Sequence, residues 1–185
     1  AYCVVPGPGV LNTLAALSTA WATSSPVLCI SGQVPTHAIG SGAGYLHEIP
    51  DQLGILARLT RFAERIESPE AAFGCIHEAM TAMFAGRPRP ASVEMPMDVM
   101  SESSVVSDPG QFVWAEVKAP DAGQIEEAAK LLASAQRPLI YVGGGALDAS
   151  LEITQLSALL GAPVGAFRSG RGVLDSRNPL SLVFP

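Results

Sequence analysis

Charge is what this sequence has least of. Only 15% of its 185 residues are Asp, Glu, Lys or Arg, against 48% apolar, and the formal net charge is −6. No cluster of lysines and arginines could follow a phosphate backbone, so a nucleic-acid partner is not expected. Arg58, Arg61 and Arg65 come nearest to a basic patch. With Glu64 and Glu67 close by, their spacing reads as one solvated helix face. Also missing are a signal peptide and any run of 18 apolar residues, so no membrane span is expected. Cys3, Cys29 and Cys75 are odd in number and far apart, with neither a CxxC nor a Cys/His ligand spacing. That pattern predicts free buried thiols in a reducing cytoplasm, and no metal-ligating set.

What is present alternates between strand and helix signals. Tyr2–Val5 reads as a strand, followed by a corner of two glycines and two prolines, Pro6-Gly7-Pro8-Gly9. A helix is predicted from Leu11 to about Ala22, a second strand over Val27–Ser31, and a loop over Gly32–Asp51. Leu53–Phe62 reads as a short helix with Leu53, Leu56 and Leu59 on one side. Ser68-Pro69-Glu70 has the chemistry of a helix start, and that helix should stop at Gly86. Ala91–Met95 is a brief strand closed by Pro96.

From Ser101 to Pro120 the periodicity breaks into Ser, Asp, Pro and Gly, as in an interdomain linker. The expected division is a first domain over 1–100, a linker over 101–118 and a second domain over 119–185. Asp121 and Gln124 have capping-box spacing ahead of a helix over Ile125–Ala135. The strand Leu139–Val142 leads into a second corner, Gly143-Gly144-Gly145. A helix over Ala149–Leu160, ended by Gly161, and a strand over Pro163–Phe167 follow. Arg168–Pro185 reads as loop and an unfinished element. Val5 and Pro26 stand 21 residues apart, as do Val142 and Pro163. The fold class is therefore α/β, with parallel sheets, flanking helices and two incomplete three-layer domains. An opening inside a strand and an apolar close at Leu182-Val183-Phe184-Pro185 suggest a piece of a longer polypeptide.

Ligands of such sheets sit at the carboxyl ends of the strands, so the corners are the first place to look for chemistry. Neither corner has the Gly-Lys-Ser/Thr ending of an ATPase phosphate loop, and Asn12 stands where a dinucleotide fingerprint needs its third glycine. Turn geometry alone is a competing account of each corner, and it weighs more on Gly143–Gly145. Pro8 removes a donor and stiffens the first corner, while Asn12 can donate and accept at once. A stiff apolar wall beside an amide suits a flat heteroaromatic ring. Among the histidines, His77 reads as a surface or core residue, and His47 is the better acid–base candidate because its loop is dense in glycines and functional groups. Glu48 and Asp51 could equally cap the helix that follows.

Taken in order, GPGVLN (7–12), PVLCISGQVP (26–35), IGSGA (39–43), HEIPDQ (47–52), GRPRPASVEMPMDV (86–99) and RPLIYVGGGA (137–146) carry a resemblance. The chain resembles the thiamine-diphosphate-dependent enzymes, with acetolactate synthase and related 2-oxoacid decarboxylases and carboligases nearest. The resemblance implies that 1–100 is the later part of a pyrimidine-binding domain and 119–185 the start of a central domain. It implies decarboxylation of a 2-oxoacid, with protonation or carboligation of the resulting enamine. Pro8, Gly9 and Asn12 would line the pyrimidine pocket, Gln33 would reach the reacting centre, and His47 would help position substrate or shuttle protons. Gly143, Gly144 and Gly145 would contact FAD where FAD is bound.

The family's catalytic glutamate would precede Ala1, and its GDG…N motif for Mg²⁺ and diphosphate would follow Pro185. This chain alone is therefore expected to be inactive. Gly44-Tyr45-Leu46-His47-Glu48 departs from the family's Ala-Phe-Gln-Glu-like run, which fits a relative acting on another 2-oxoacid. The implied assembly is a cytoplasmic homodimer or homotetramer. Two other classes compete: a non-catalytic module binding FAD, ADP or NAD at the glycine corner, and a remnant whose activity is association.

Overall fold

The computed structural model describes residues 1–105, 111–112 and 119–182. The chain divides into two compact units, Ala1–Val117 and Lys118–Pro185. Most of the stretch read as a linker, residues 106–110 and 113–118, lies outside the described residues.

In the first unit, strands β1 (Tyr2–Val4), β2 (Leu28–Gln33), β3 (Ala63–Arg65) and β4 (Ala91–Pro96) form one sheet in the order β1-β2-β4-β3, every pair parallel. Side chains alternate across it, which builds two apolar layers from one set of strands. Cys29, with Tyr2, Val4 and Ala63, packs under helices α1 (Pro8–Thr23) and α2 (Gln52–Leu59) through Val10, Leu17, Leu56 and Leu59. Leu28, Ala91 and Val93 face the other way, against Cys75, Ala79 and Met83 of α3 (Ala72–Phe84). A one-turn helix α4 (Met97–Met100) follows β4, and Asp98 accepts from the Thr36 backbone N–H at 3.0 Å.

The second unit has a three-stranded parallel sheet, β5 (Ile140–Val142), β6 (Val164–Ala166) and β7 (Ser181–Leu182), in that order. Its core is Val142, Val164, Val173 and Leu174, with Ile153 of α6 (Ser150–Leu160) packed against it. Helix α5 (Ala122–Ser134) is capped as expected, Asp121 accepting from Gln124 N–H at 2.9 Å, but buries none of its residues. Gly161 ends α6 in the left-handed conformation, φ 59°.

The α/β class with parallel sheets and flanking helices is the one the alternation predicts. Several boundaries differ, each for a local reason. Helix α1 starts at Pro8 rather than Leu11, because proline in the first turn gives up an N–H that has no helical partner anyway. Ser68-Pro69-Glu70 forms its own turn, with Ala71 N–H on Ser68 O, and α3 begins only at Ala72. Strand β2 extends into the expected loop as far as Gln33. Arg58, Arg61 and Arg65 do not share a helix face: α2 ends at Leu59, and Arg65 lies on β3, a strand too short to show a period of two. The tail contributes β7. Cys29 and Cys75 are buried thiols as expected, but Cys3 is exposed on the edge strand. Burial pushes the Cys75 thiol up to about 11, with Glu64 and Glu78 adding to it, and raises Cys29 as well.

Candidate functional site

The carboxyl ends of β1, β2 and β4 converge beside the first glycine corner, and close packing dictates that corner's composition. Gly7 has φ 58°, and a Cβ there would fall on the carbonyl oxygen of His47. A Cβ on Gly9 would stand 2.7 Å from Val5 Cγ2, and one on Gly32 3.1 Å from Pro6 Cδ. Helix start, strand end and the 40–48 loop thus meet without side chains between them. At the second corner the demand differs. Gly143 and Gly145 have open space at Cβ and no positive φ, and Gly144 lies against Ser169, whose Oγ accepts from its N–H at 3.1 Å. The tight glycine on that side is Gly170, whose Cβ would meet Val142 O at 2.6 Å.

Above the strand ends lies a cavity of about 760 Å³, lined by Val4, Pro6, Gly32, Met95, Met97 and Met100 among others. Its polar lining includes His47 and Glu94, and no lysine or arginine contributes. The volume and apolar walls fit an uncharged heteroaromatic ring. A diphosphate finds no cationic side chain there, and the described residues hold no group of three His, Cys, Asp or Glu suited to a metal ion.

The residues singled out from sequence do not converge on this one cavity. His47 lines it, held in a left-handed backbone, φ 72°. Pro8 is exposed and Gly9 half-buried in the first turn of α1. Asn12 opens instead onto a second cavity, about 310 Å³, with Tyr2, Thr13 and Ala16. Tyr2 donates there to Thr13 Oγ1 at 3.0 Å, and burial, followed by the neighbouring Cys29, pushes its phenol up to about 12. His77 is exposed on α3, its ring 4.9 Å from that of Phe112.

Gln33 is 2% exposed and faces inward, toward a polar cluster that sequence reasoning did not find. Gln33 Nε2 donates to Glu94 Oε2 at 3.2 Å, and Gln33 Oε1 accepts from Val34 N–H at 2.8 Å. Gln52 Nε2 donates to the same Glu94 oxygen at 2.9 Å and to Gly32 O at 2.9 Å. Gln52 Oε1 accepts from Gly7 N–H at 2.8 Å, which ties α2 to the corner. Arg65 Nε meets Glu94 Oε1 at 2.7 Å. Glu94 is fully buried, and burial of an acid there is offset by three donors, two amides and the Arg65 guanidinium. The available signal was a lone acid inside the strand run Ala91–Pro96, where a buried β-strand has no other use for charge.

Asp51 and Glu48, both weighed as helix caps, divide the work. Asp51 caps α2 by accepting from Gly54 N–H at 2.8 Å. Glu48 turns back onto the glycine loop and accepts from the N–H groups of Gly42, Gly44 and Tyr45 at 2.8 to 3.0 Å. The Gly42 and Tyr45 bonds, with help from Gly44 and Ser41, hold its carboxyl below the ordinary value of 4.5.

Comparison with known proteins matches this architecture in sequence order. Residues 1–55 match the N-terminal TPP binding domain of thiamine pyrophosphate enzymes, and residues 125–184 match their central domain. A probable 2-ketoarginine decarboxylase of Pseudomonas aeruginosa is 35% identical over 185 residues, covering 96% of this chain and 32% of the relative. Acetolactate synthase of Arthrospira platensis is 35% identical over 183 residues, covering 95% of this chain and 31% of that protein. A probable acetolactate synthase large subunit of Methanocaldococcus jannaschii is 34% identical over 184 residues, covering 95% and 31%. The chain thus spans about a third of the length of the curated relatives it matches. With a packed glycine corner at the strand ends in the first matched stretch and a second βαβ unit in the other, the chain belongs to the thiamine pyrophosphate enzymes.

Proposed function

We propose that the whole protein is a thiamine-diphosphate-dependent enzyme that decarboxylates a 2-oxoacid and then protonates the product or joins it to an acceptor. The observation that carries this reading is the pair of family matches, 1–55 and 125–184, in consecutive order along one chain. When bound, thiamine diphosphate supplies the carbon nucleophile and the electron sink that loss of CO₂ requires. This chain's part is to shape and dry the pocket. Pro6, Gly32, Met95 and Met97 give it an apolar wall, which strengthens every electrostatic contact made inside. Pro8, Gly9 and Asn12, on the rigid start of α1, are the proposed pyrimidine-side residues. His47, on the cavity wall, and Gln33, at the end of β2, are the proposed groups that orient substrate or move its proton.

The diphosphate and Mg²⁺ are proposed to bind at the GDG…N motif that the family resemblance implies, which is not among the residues of this chain. FAD at Gly143–Gly145 is the corresponding proposal for the second unit, supported by the Ser169-braced glycine turn at the end of β5. A homodimer or homotetramer in the cytoplasm is the proposed setting. The substrate proposed first is a 2-oxoacid other than pyruvate, because the Tyr45-Leu46-His47 run departs from the acetolactate synthase pattern and one relative is named for 2-ketoarginine. Titrating the full-length protein with thiamine diphosphate and Mg²⁺, followed by near-UV circular dichroism, tests the cofactor. Measuring CO₂ release from pyruvate and from 2-ketoarginine tests the substrate. Saturable binding and faster turnover of 2-ketoarginine are expected, and absence of any binding would overturn the reading.

A further inference from the structure

The buried cluster around Glu94 joins five separated places in the chain: Gly7, Gln33, Gln52, Arg65 and Glu94. Its bonding pattern leaves one orientation for each amide. Turning the Gln52 carboxamide over would set its NH₂ against Gly7 N–H and its oxygen against both the Glu94 carboxylate and Gly32 O. Turning Gln33 over would set NH₂ against Val34 N–H and oxygen against the same carboxylate. One acid, Glu94, therefore faces both amides, and Arg65 holds it from the β3 side. Gln33 and Gln52 are 2% and 1% exposed, and no buried side-chain N or O among the described residues lacks a partner. A fully satisfied network of this kind is rigid.

Its free end is what makes it more than packing. Gln52 Oε1 takes the N–H of Gly7, the residue that turns β1 into α1 immediately before Pro8 and Gly9. The same side chain holds Gly32 O, one residue before Gln33. Ser31, Gly32 and Glu94 also line the 760 Å³ cavity. The corner and the end of β2 already adjoin through the β1–β2 pairing and through Pro6 against Gly32, and one amide adds a polar tie between them.

We infer that Gln52, held by Glu94 and Arg65, is a positioning residue: it sets the placement of the Gly7–Gly9 corner relative to Gln33, and so the affinity of the site for thiamine diphosphate. The inference rests on the proposed function. Its test uses full-length protein and three variants, Gln52→Leu, Arg65→Gln and Thr60→Val. Thr60 is the control, because it is also buried and bonded in the same unit, to Leu56 O and Ser92, without reaching the corner. Two readouts are taken on each: thiamine diphosphate affinity by circular dichroism, and deuterium exchange at the Gly7 amide by mass spectrometry of its peptide.

Gln52→Leu is expected to weaken cofactor binding about tenfold or more, and to speed Gly7 exchange by a similar factor. Thr60→Val should leave both within about twofold even where its melting temperature falls as far. Arg65→Gln should show the Gln52→Leu effects in smaller measure, and it decides the matter if Gln52→Leu does not fold. Equal losses in the Thr60 and Gln52 variants, or unchanged Gly7 exchange in Gln52→Leu, would overturn the inference. If the wild-type protein binds no thiamine diphosphate, the functional reading fails, and unchanged Gly7 exchange alone would still overturn the positioning role.

Discussion

The two units bury parallel sheets of similar design to very different degrees. In the first, alternate residues of β2 and β4 feed separate clusters on opposite faces, and charge is drawn into the interior around Glu94. In the second, four side chains make the core, while Leu131, Leu139, Tyr141, Leu151 and Leu159 stay exposed. Both contain a strand–corner–helix–strand step, from Val4 to Leu28 in the first and from Val142 to Val164 in the second, and both pair those strands in parallel. What separates the units is how much apolar surface comes back to cover the sheet.

That contrast can be broken most directly at Glu94. Replacing it with alanine strands Arg65 and two buried amides, and should cost the first unit about 3 to 5 kcal/mol. Denaturant unfolding with a probe in each unit would show the loss in the first transition only. A comparable loss in the second would mean the units are one cooperative body.

The corners offer the next test. Gly7→Ala places a Cβ on the His47 carbonyl in a left-handed backbone, and should cost about 1 to 3 kcal/mol. Gly145→Ala meets open space at an ordinary φ, and should stay within about 0.5 kcal/mol. Thermal melts of the two variants would check the difference. A smaller effect still is expected on α5, where Leu131 is 74% exposed. Leu131→Gln should leave unfolding unchanged within about 0.5 kcal/mol and lower the binding of an apolar dye.

The smallest effect concerns pH and the 40–48 loop. Glu48 has a depressed folded value, so its contribution is fully present above the ordinary 4.5 and disappears as pH falls through the lower folded value. Amide exchange at Gly42 and Gly44, corrected for the intrinsic pH dependence, should therefore lose protection only in acid. Loss of protection at or above pH 4.5 would contradict the bonding seen.

Much of the frame was legible because local chemistry announces it. Gly161 marks a helix stop, Asp121 announces its cap, and the alternation of apolar runs announces parallel α/β units. The six ordered runs from 7–12 to 137–146 together pointed to the family. The site was less legible. Gln33 could be named but not oriented, and Gln52 appeared only within a matched run. Arg65 was read on the wrong kind of element because β3 has three residues and no period to detect. Glu94 went unread because a single acid in a short apolar strand has no local signature of its partners.

The amino-acid order by itself determined where helices and strands alternate and the family to which the chain belongs. Those are properties of neighbours in the chain, whose sterics and hydrogen bonds act within a few residues. Tertiary structure alone decided that Gln52 reaches Gly7 and that Glu94 answers Arg65, Gln33 and Gln52 together. The reason is burial. A charge in a sheet interior persists only where distant elements bring it donors, and in this protein those donors are up to 61 residues away along the chain.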